Sequence, residues 1–184
     1  MTTWHGKSEL KAEVLARMVL HRAEDSIVQG FYQKIDPELA SGYRGCLIGC
    51  TLPRVARWAL PDWHEEVEEV YGIPVWLGLQ LDEMFETLPP SMCADFAVKS
   101  IESIPVGVTI NGESLSASMF NWASSQLEGH CTPSLDEDDP SGLMLDYVYY
   151  RGSGPVEKLA MEDEFFDEFL EQFYKTLSEV PVGS

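Results

Sequence analysis

Apolar residues recur every three to four positions over most of the chain, and that spacing predicts helices. Over 8–33, Leu10, Val14, Met18, Val28 and Tyr32 fall on one stripe that also contains His21 and Asp25, and Ser8 is placed to cap the first turn. Over 74–88, Leu77, Leu81, Met84, Phe85 and Leu88 share a face, and Pro89 and Pro90 stop the helix. Further helices are predicted over 62–71, capped by Asp62 and ended by Gly72, over 91–103, and over 113–128 with Leu115, Met119, Trp122 and Ala123 inward. A last helix, 156–178, places Phe165, Phe166, Phe169, Leu170, Phe173, Tyr174 and Leu177 on one half of its circumference. Glu164, Asp167, Glu168 and Glu171 occupy the other half.

Between these helices lie two connections of different character. Residues 34–45 are rich in Pro, Gly and Ser, and 129–142 carry four consecutive acids, Asp136, Glu137, Asp138 and Asp139, whose mutual repulsion opposes packing. The apolar run 143–150 is too short for periodicity to separate strand from helix. The pattern as a whole predicts a mainly α, compact domain of about six or seven helices, with room for a small strand pair near 143–150. The predicted organisation is a helical core over 1–128, an acidic loop and connector over 129–155, and a C-terminal amphipathic helix in 156–184 packed on that core.

Composition changes the picture mainly through charge. The 184 residues hold 31 Asp and Glu against 12 Lys and Arg, a net charge of −19. Residues 134–184 carry 13 of the acids and only 3 of the bases. Such a field disfavours direct contact with nucleic acid or an anionic membrane and favours a basic protein surface as partner. No apolar run reaches the roughly 20 residues that span a bilayer, and no signal-peptide pattern is present, so a cytoplasmic protein with reduced cysteines is expected.

Chemistry is sparse. Cys46 and Cys50 stand four apart in Gly45-Cys46-Leu47-Ile48-Gly49-Cys50, a spacing that puts both thiols on one helical face. The pair can be core, a nucleophile with its resolving thiol, or half of a metal site that recruits His21 or His64 as a third ligand, and a helix N-terminus at Cys46 would favour the thiolate. His21 and Asp25, one turn apart, can hydrogen-bond as base and orienter, or pack as a satisfied polar pair. Asp82 and Glu86, also one turn apart, lie off the Leu77–Leu88 face and read as solvated. Glycine-rich nucleotide loops, serine-hydrolase elbows and His-Glu-x-x-His motifs are absent, and no cofactor is implied.

Several motifs occur in an ordered series. His21 to Asp25 and Val28 to Tyr32 are followed by Gly-Cys-x-x-Gly-Cys at 45–50, Gly-Ile-Pro at 72–74, Phe-Glu-x-Leu-Pro at 85–89 and Ile-Pro-Val-Gly at 104–107. Over roughly 20–128 this series resembles an uncharacterised bacterial and phage protein family with no assigned activity. Members of that family carry one or two histidines soon after the second cysteine, whereas here Thr51 to Val55 contains none. The resemblance implies a lineage rather than an activity. Two functions are therefore expected from the residues themselves. The first is an acidic interaction protein that inhibits or regulates a basic partner, such as a phage or mobile-element inhibitor of a nucleic-acid-binding machine, using the acids of 136–139 and of the last helix. The second is a small thiol- or metal-dependent enzyme centred on Cys46 and Cys50 with His21 and Asp25.

Overall fold

The computed structural model describes residues 1–53, 62–126 and 163–179. Among them the fold is mainly α, as the periodicity predicts. Its helices are α1 (Ser8–Ala23), α2 (Leu47–Thr51), α3 (Trp63–Tyr71), α4 (Val75–Thr87), α5 (Pro90–Ser103), α6 (Gly112–Gln126) and α7 (Asp163–Ser178), preceded by a 3-10 turn at Thr3–Gly6. A small strand pair is present in the connection over 34–45. β1 (Lys34–Ile35) and β2 (Tyr43–Arg44) pair antiparallel within the Pro/Gly/Ser-rich connection, while 143–150 lies outside the described residues. Among the described residues no helix is long and apolar enough to cross a membrane.

The chain divides into two units, one built on Met1–Ile110 and the other on Asn111–Val180. The division comes after Ile110, not after 128, because Ser103 ends α5 and the segment through Val108 turns back on the N-terminal strap. There Val108 O accepts Thr3 N–H at 2.9 Å, and Trp4, fully buried, donates its indole N–H to Ile104 O at 3.1 Å. Asn111 then opens α6 by accepting Ser114 N–H on its Oδ1 at 3.0 Å. In the second unit, α6 and α7 pack together. Leu115 and Met119 face inward on α6, Phe169, Leu170, Phe173 and Leu177 are buried on α7, and Trp122 meets Phe169 at 6.1 Å between ring centroids.

In the first unit α1 lies along α5. Val14 and Met18 are buried, and Lys11 donates to the terminal carbonyls of α5, Glu102 O at 2.6 Å and Ile104 O at 2.8 Å. The predicted helix over 8–33 stops ten residues early. Asp25 takes a left-handed φ of 50° and Ser26 returns its N–H to His21 O at 3.0 Å. Ser26 competes with the helix for that carbonyl, since its hydroxyl also donates to His21 O at 3.0 Å. From there the chain runs across α2, tied down by backbone bonds, Val28 N–H to Gly45 O at 2.8 Å and Gly45 N–H to Ser26 O at 3.0 Å, and by side chains. Glu24 accepts Ser41 Oγ at 2.6 Å and Ala40 N–H at 2.6 Å, Asp36 pairs with Arg44, and Gln29 donates to Phe85 O and Leu88 O at the end of α4, at 2.8 and 2.9 Å.

Candidate functional site

The two glycines of the Cys46–Cys50 segment are explained by what crosses them. A Cβ on Gly45 would stand 1.9 Å from Tyr32 O, and one on Gly49 only 1.5 Å from it. The backbone at Tyr32 therefore rests directly on α2, held by Cys46 N–H to Phe31 O at 2.9 Å and by Gln33 Nε2 to Gly49 O at 2.7 Å. This contact sets Cys46 as the N-cap of α2, its sulfur accepting Gly49 N–H at 3.4 Å. Cys50 lies inside α2 and donates its thiol to Gly45 O at 3.3 Å.

The expected thiolate at Cys46 does not form. Burial, then the neighbouring Asp82 carboxylate, pushes the Cys46 thiol up well beyond the ordinary thiol range, against the lowering by Gly49 N–H. Burial likewise pushes Cys50 up to about 12. Both cysteines are free, and both hold their protons at neutral pH.

His21 and Asp25 are not a pair. Asp25 has left the helix and is exposed, while His21 is buried and its Nδ1 meets Ser26 Oγ at 2.7 Å. Ser26 Oγ also lies 3.0 Å from His21 O, and the buried Nε2 of the imidazole makes no hydrogen bond. The base-and-orienter arrangement is replaced by a histidine locked in the helix end, with Tyr43 edge-on at 4.5 Å.

The groups that do gather come from α2, α3 and α4. On α4, Gly78, Asp82 and Glu86 recur every four residues and so share one stripe. Gly78 leaves room for the imidazole of His64: a Cβ there would sit 3.2 Å from His64 Cδ2. One turn on, Asp82 Oδ2 stands 3.4 Å from His64 Nε2. Asp82 is therefore not solvated as its position off the leucine face suggests, and its side chain is only 15% exposed. Glu86 keeps an exposed residue position but accepts Gly30 N–H on both oxygens, at 3.1 and 3.0 Å.

His64 is placed by α3. Asp62 caps that helix by accepting His64 N–H at 2.8 Å and Glu65 N–H at 3.1 Å, and its carboxylate stands 3.7 Å from His64 Nδ1. The imidazole is thus flanked by two carboxylates. Cys46 Sγ, an Asp82 oxygen and a Glu86 oxygen lie within 4.8 Å of one another. His64 Nε2 and Asp82 Oδ1 are both buried and make no hydrogen bond. An aromatic pair borders the group: Tyr32 stacks on Trp63 at 5.0 Å and 10°, and meets His64 edge-on at 5.8 Å. Burial, then the charges of Asp82, Cys46, Asp62 and Glu86, push the Tyr32 phenol up. Tyr32 and Trp63 are half-buried and Glu86 is exposed.

Of the residues singled out from the sequence as catalytic, Cys46 alone belongs to this cluster. Asp136 to Asp139 lie outside the described residues. On α7, Asp167, Glu168 and Glu171 are exposed as expected, opposite the buried Phe169 and Phe173. The sequence offered His64 only as a third zinc ligand beside the cysteines, with nothing to place it there, and read Asp82 and Glu86 as solvated. The available signal was the Gly78–Asp82–Glu86 stripe, a glycine in phase with two acids on an otherwise apolar helix. No family model, no curated protein and no solved structure matches this chain.

Proposed function

We propose that the unit built on residues 1–110 is a small hydrolytic enzyme whose working centre is the cluster of Cys46, His64, Asp82 and Glu86. The observation that supports this reading is the pair of unsatisfied atoms, His64 Nε2 and Asp82 Oδ1, buried beside the exposed Glu86. Each buried polar atom left without a partner costs about 1–3 kcal/mol, and folded proteins hold few of them outside functional places. A water that donates to Asp82 Oδ1 and His64 Nε2 is polarised for attack on an acyl carbon, and the leaving group departs with the proton that the water gives up. The carboxylates of Asp62, Asp82 and Glu86 set a negative local field, so the substrate class is an uncharged ester or amide rather than a phosphoester. The stacked Tyr32 and Trp63 offer its apolar part a flat wall.

The test is a panel of chromogenic neutral esters, amides and phosphoesters, with wild type compared against Asp82→Asn and His64→Gln. Turnover of neutral acyl substrates that falls at least tenfold in both variants, with unchanged circular dichroism, is the expected result. Equal turnover in the variants, or none by wild type, removes the reading.

A second reading rests on α7, where Asp167, Glu168 and Glu171 form an exposed acidic edge. It makes the chain an acidic inhibitor or regulator of a basic protein partner. Affinity for such a partner should drop steeply between about 50 and about 500 mM salt, and salt-independent binding would remove this reading.

A further inference from the structure

We propose that the same cluster is a binding site for one thiophilic divalent cation of the zinc class, with Cys46 Sγ, His64 Nε2, Asp82 and Glu86 as its donors. The inference shares its location with the hydrolytic reading and gives that reading its activator of water.

The donor geometry carries the argument. Two ligand atoms bound at about 2.0–2.1 Å to a tetrahedral zinc stand about 3.3 Å from each other. His64 Nε2 and Asp82 Oδ2 are 3.4 Å apart, yet no hydrogen bond joins the histidine nitrogen to that oxygen. That separation matches one edge of a coordination tetrahedron. The Cys46, Asp82 and Glu86 donors lie within 4.8 Å of one another, and His64 Nε2 adjoins that group through Asp82 as the fourth proposed ligand.

Burial supplies an independent observation. His64 is only 6% exposed, and its unpartnered Nε2 points at Asp82. On its other side the Asp62 carboxylate stands 3.7 Å from Nδ1, beyond hydrogen-bond length but on the side where a carboxylate orients a metal-bound imidazole. Asp62 is itself fixed, since it caps α3 through His64 N–H and Glu65 N–H. Softness then selects the ion. One thiolate, one imidazole and two carboxylates suit zinc and its neighbours, whereas magnesium and calcium take oxygen donors alone. Binding exchanges the Cys46 thiol proton for the metal–sulfur bond, and the proton leaves to solvent.

Cys50 has no place in this site, because its thiol is turned to Gly45 O inside α2. That separates the proposal from a two-cysteine knuckle and supplies its control. Untagged protein stripped with a chelator is titrated with cobalt(II), then with zinc(II), under reducing conditions. The expected result is one equivalent of cobalt bound, with a sulfur-to-cobalt charge-transfer band, and displacement by zinc. Cys46→Ser abolishes the band, Cys50→Ser retains it, and Glu86→Gln, at an exposed position, lowers zinc affinity at least tenfold without altering the fold. Absence of binding by folded wild type, a band that survives Cys46→Ser, or zinc affinity unchanged in Glu86→Gln each overturns the proposal. Hydrolysis by the stripped protein that metal leaves unchanged overturns this inference and keeps the hydrolytic reading. Stoichiometric metal without turnover does the reverse.

Discussion

Replacing Gly49 by Ala tests how the strap over α2 is held. The new Cβ would lie 1.5 Å from Tyr32 O, 2.4 Å from Tyr32 C and 3.0 Å from Tyr32 Cα. Carbon–oxygen contacts run at about 3.3–3.6 Å, so helix and strap must part by about 2 Å. Both sides of the contact are backbone, and no rotamer change relieves it. A separation of that size breaks Cys46 N–H to Phe31 O and Gln33 Nε2 to Gly49 O. At about 1 kcal/mol net for each bond, plus about 1–3 kcal/mol for overpacking, the loss is about 3–5 kcal/mol. Against the 5–15 kcal/mol typical of a domain, that is a large fraction of the stability. Urea unfolding followed by tryptophan fluorescence measures it. Gly30→Ala is the comparison, because nothing lies within 4 Å of its Cβ and only its φ of 94° opposes the change. It should cost about 1–2 kcal/mol. If Gly49→Ala costs less than about 1 kcal/mol, the strap does not rest on α2 as described.

Three further outcomes follow from single side chains. Asp62→Ala removes the cap of α3 and should cost about 1 kcal/mol in urea unfolding, while Asp62→Asn, which keeps an acceptor for His64 N–H and Glu65 N–H, should cost markedly less. Burial lowers the His21 pKa, with Glu24 opposing it and Arg17 adding to it. The unfolded chain therefore takes up a proton below about pH 6.5 that the folded chain resists, and this contribution to stability, full above that value, is lost as pH falls through the folded pKa. Unfolding free energies at about pH 7.5 and about pH 5.5 should differ more in wild type than in His21→Gln, and an equal difference would refute the assignment. Finally, with burial pushing Cys50 up to about 12 and Cys93 up to about 11, native protein treated with iodoacetamide at about pH 8 should show both sites unmodified by mass mapping, and both modified in urea.

The sequence made the helical frame legible because its signals are local. Asp62 and Gly72 bound α3, Pro89 and Pro90 separate α4 from α5, and each acts within one turn of itself. The early end of α1 was harder to see, because the stripe from Leu10 to Tyr32 continues in phase past the break. Ser26 decides the matter through a hydrogen bond to a carbonyl five residues back, which periodicity does not register. The site was legible only at Cys46. His64 and Asp82 meet through the packing of α3 on α4, and a glycine at 78 that admits the imidazole looks in sequence like an ordinary weak point in a helix. The shift of Asp82 from expected solvent to near burial has the same origin. Its face of α4 is apolar-poor but is covered by other elements all the same.

The chemistry of the cluster turns on which of two opposed effects governs Cys46. As N-cap of α2 it sits where backbone N–H groups favour negative charge, and Gly49 N–H does reach its sulfur. Such a terminus contributes about 0.3–1 kcal/mol, rising to about 2 kcal/mol when partly buried, and α2 is only five residues long. Against it stand burial, at 2% exposure, and the adjacent carboxylate of Asp82. Burial and the Asp82 charge together outweigh the terminus and drive the thiol upward. Cys46 is consequently a poor nucleophile where it stands, and a free thiolate is excluded as the working form. The Asp82 carboxylate, which opposes the thiolate, and Glu86 a turn away take on another meaning once a divalent cation lies between them. They then share its charge with the sulfur instead of repelling it. The same residues that argue against thiol catalysis therefore argue for metal ligation, with Gly49 N–H left to orient the bound sulfur.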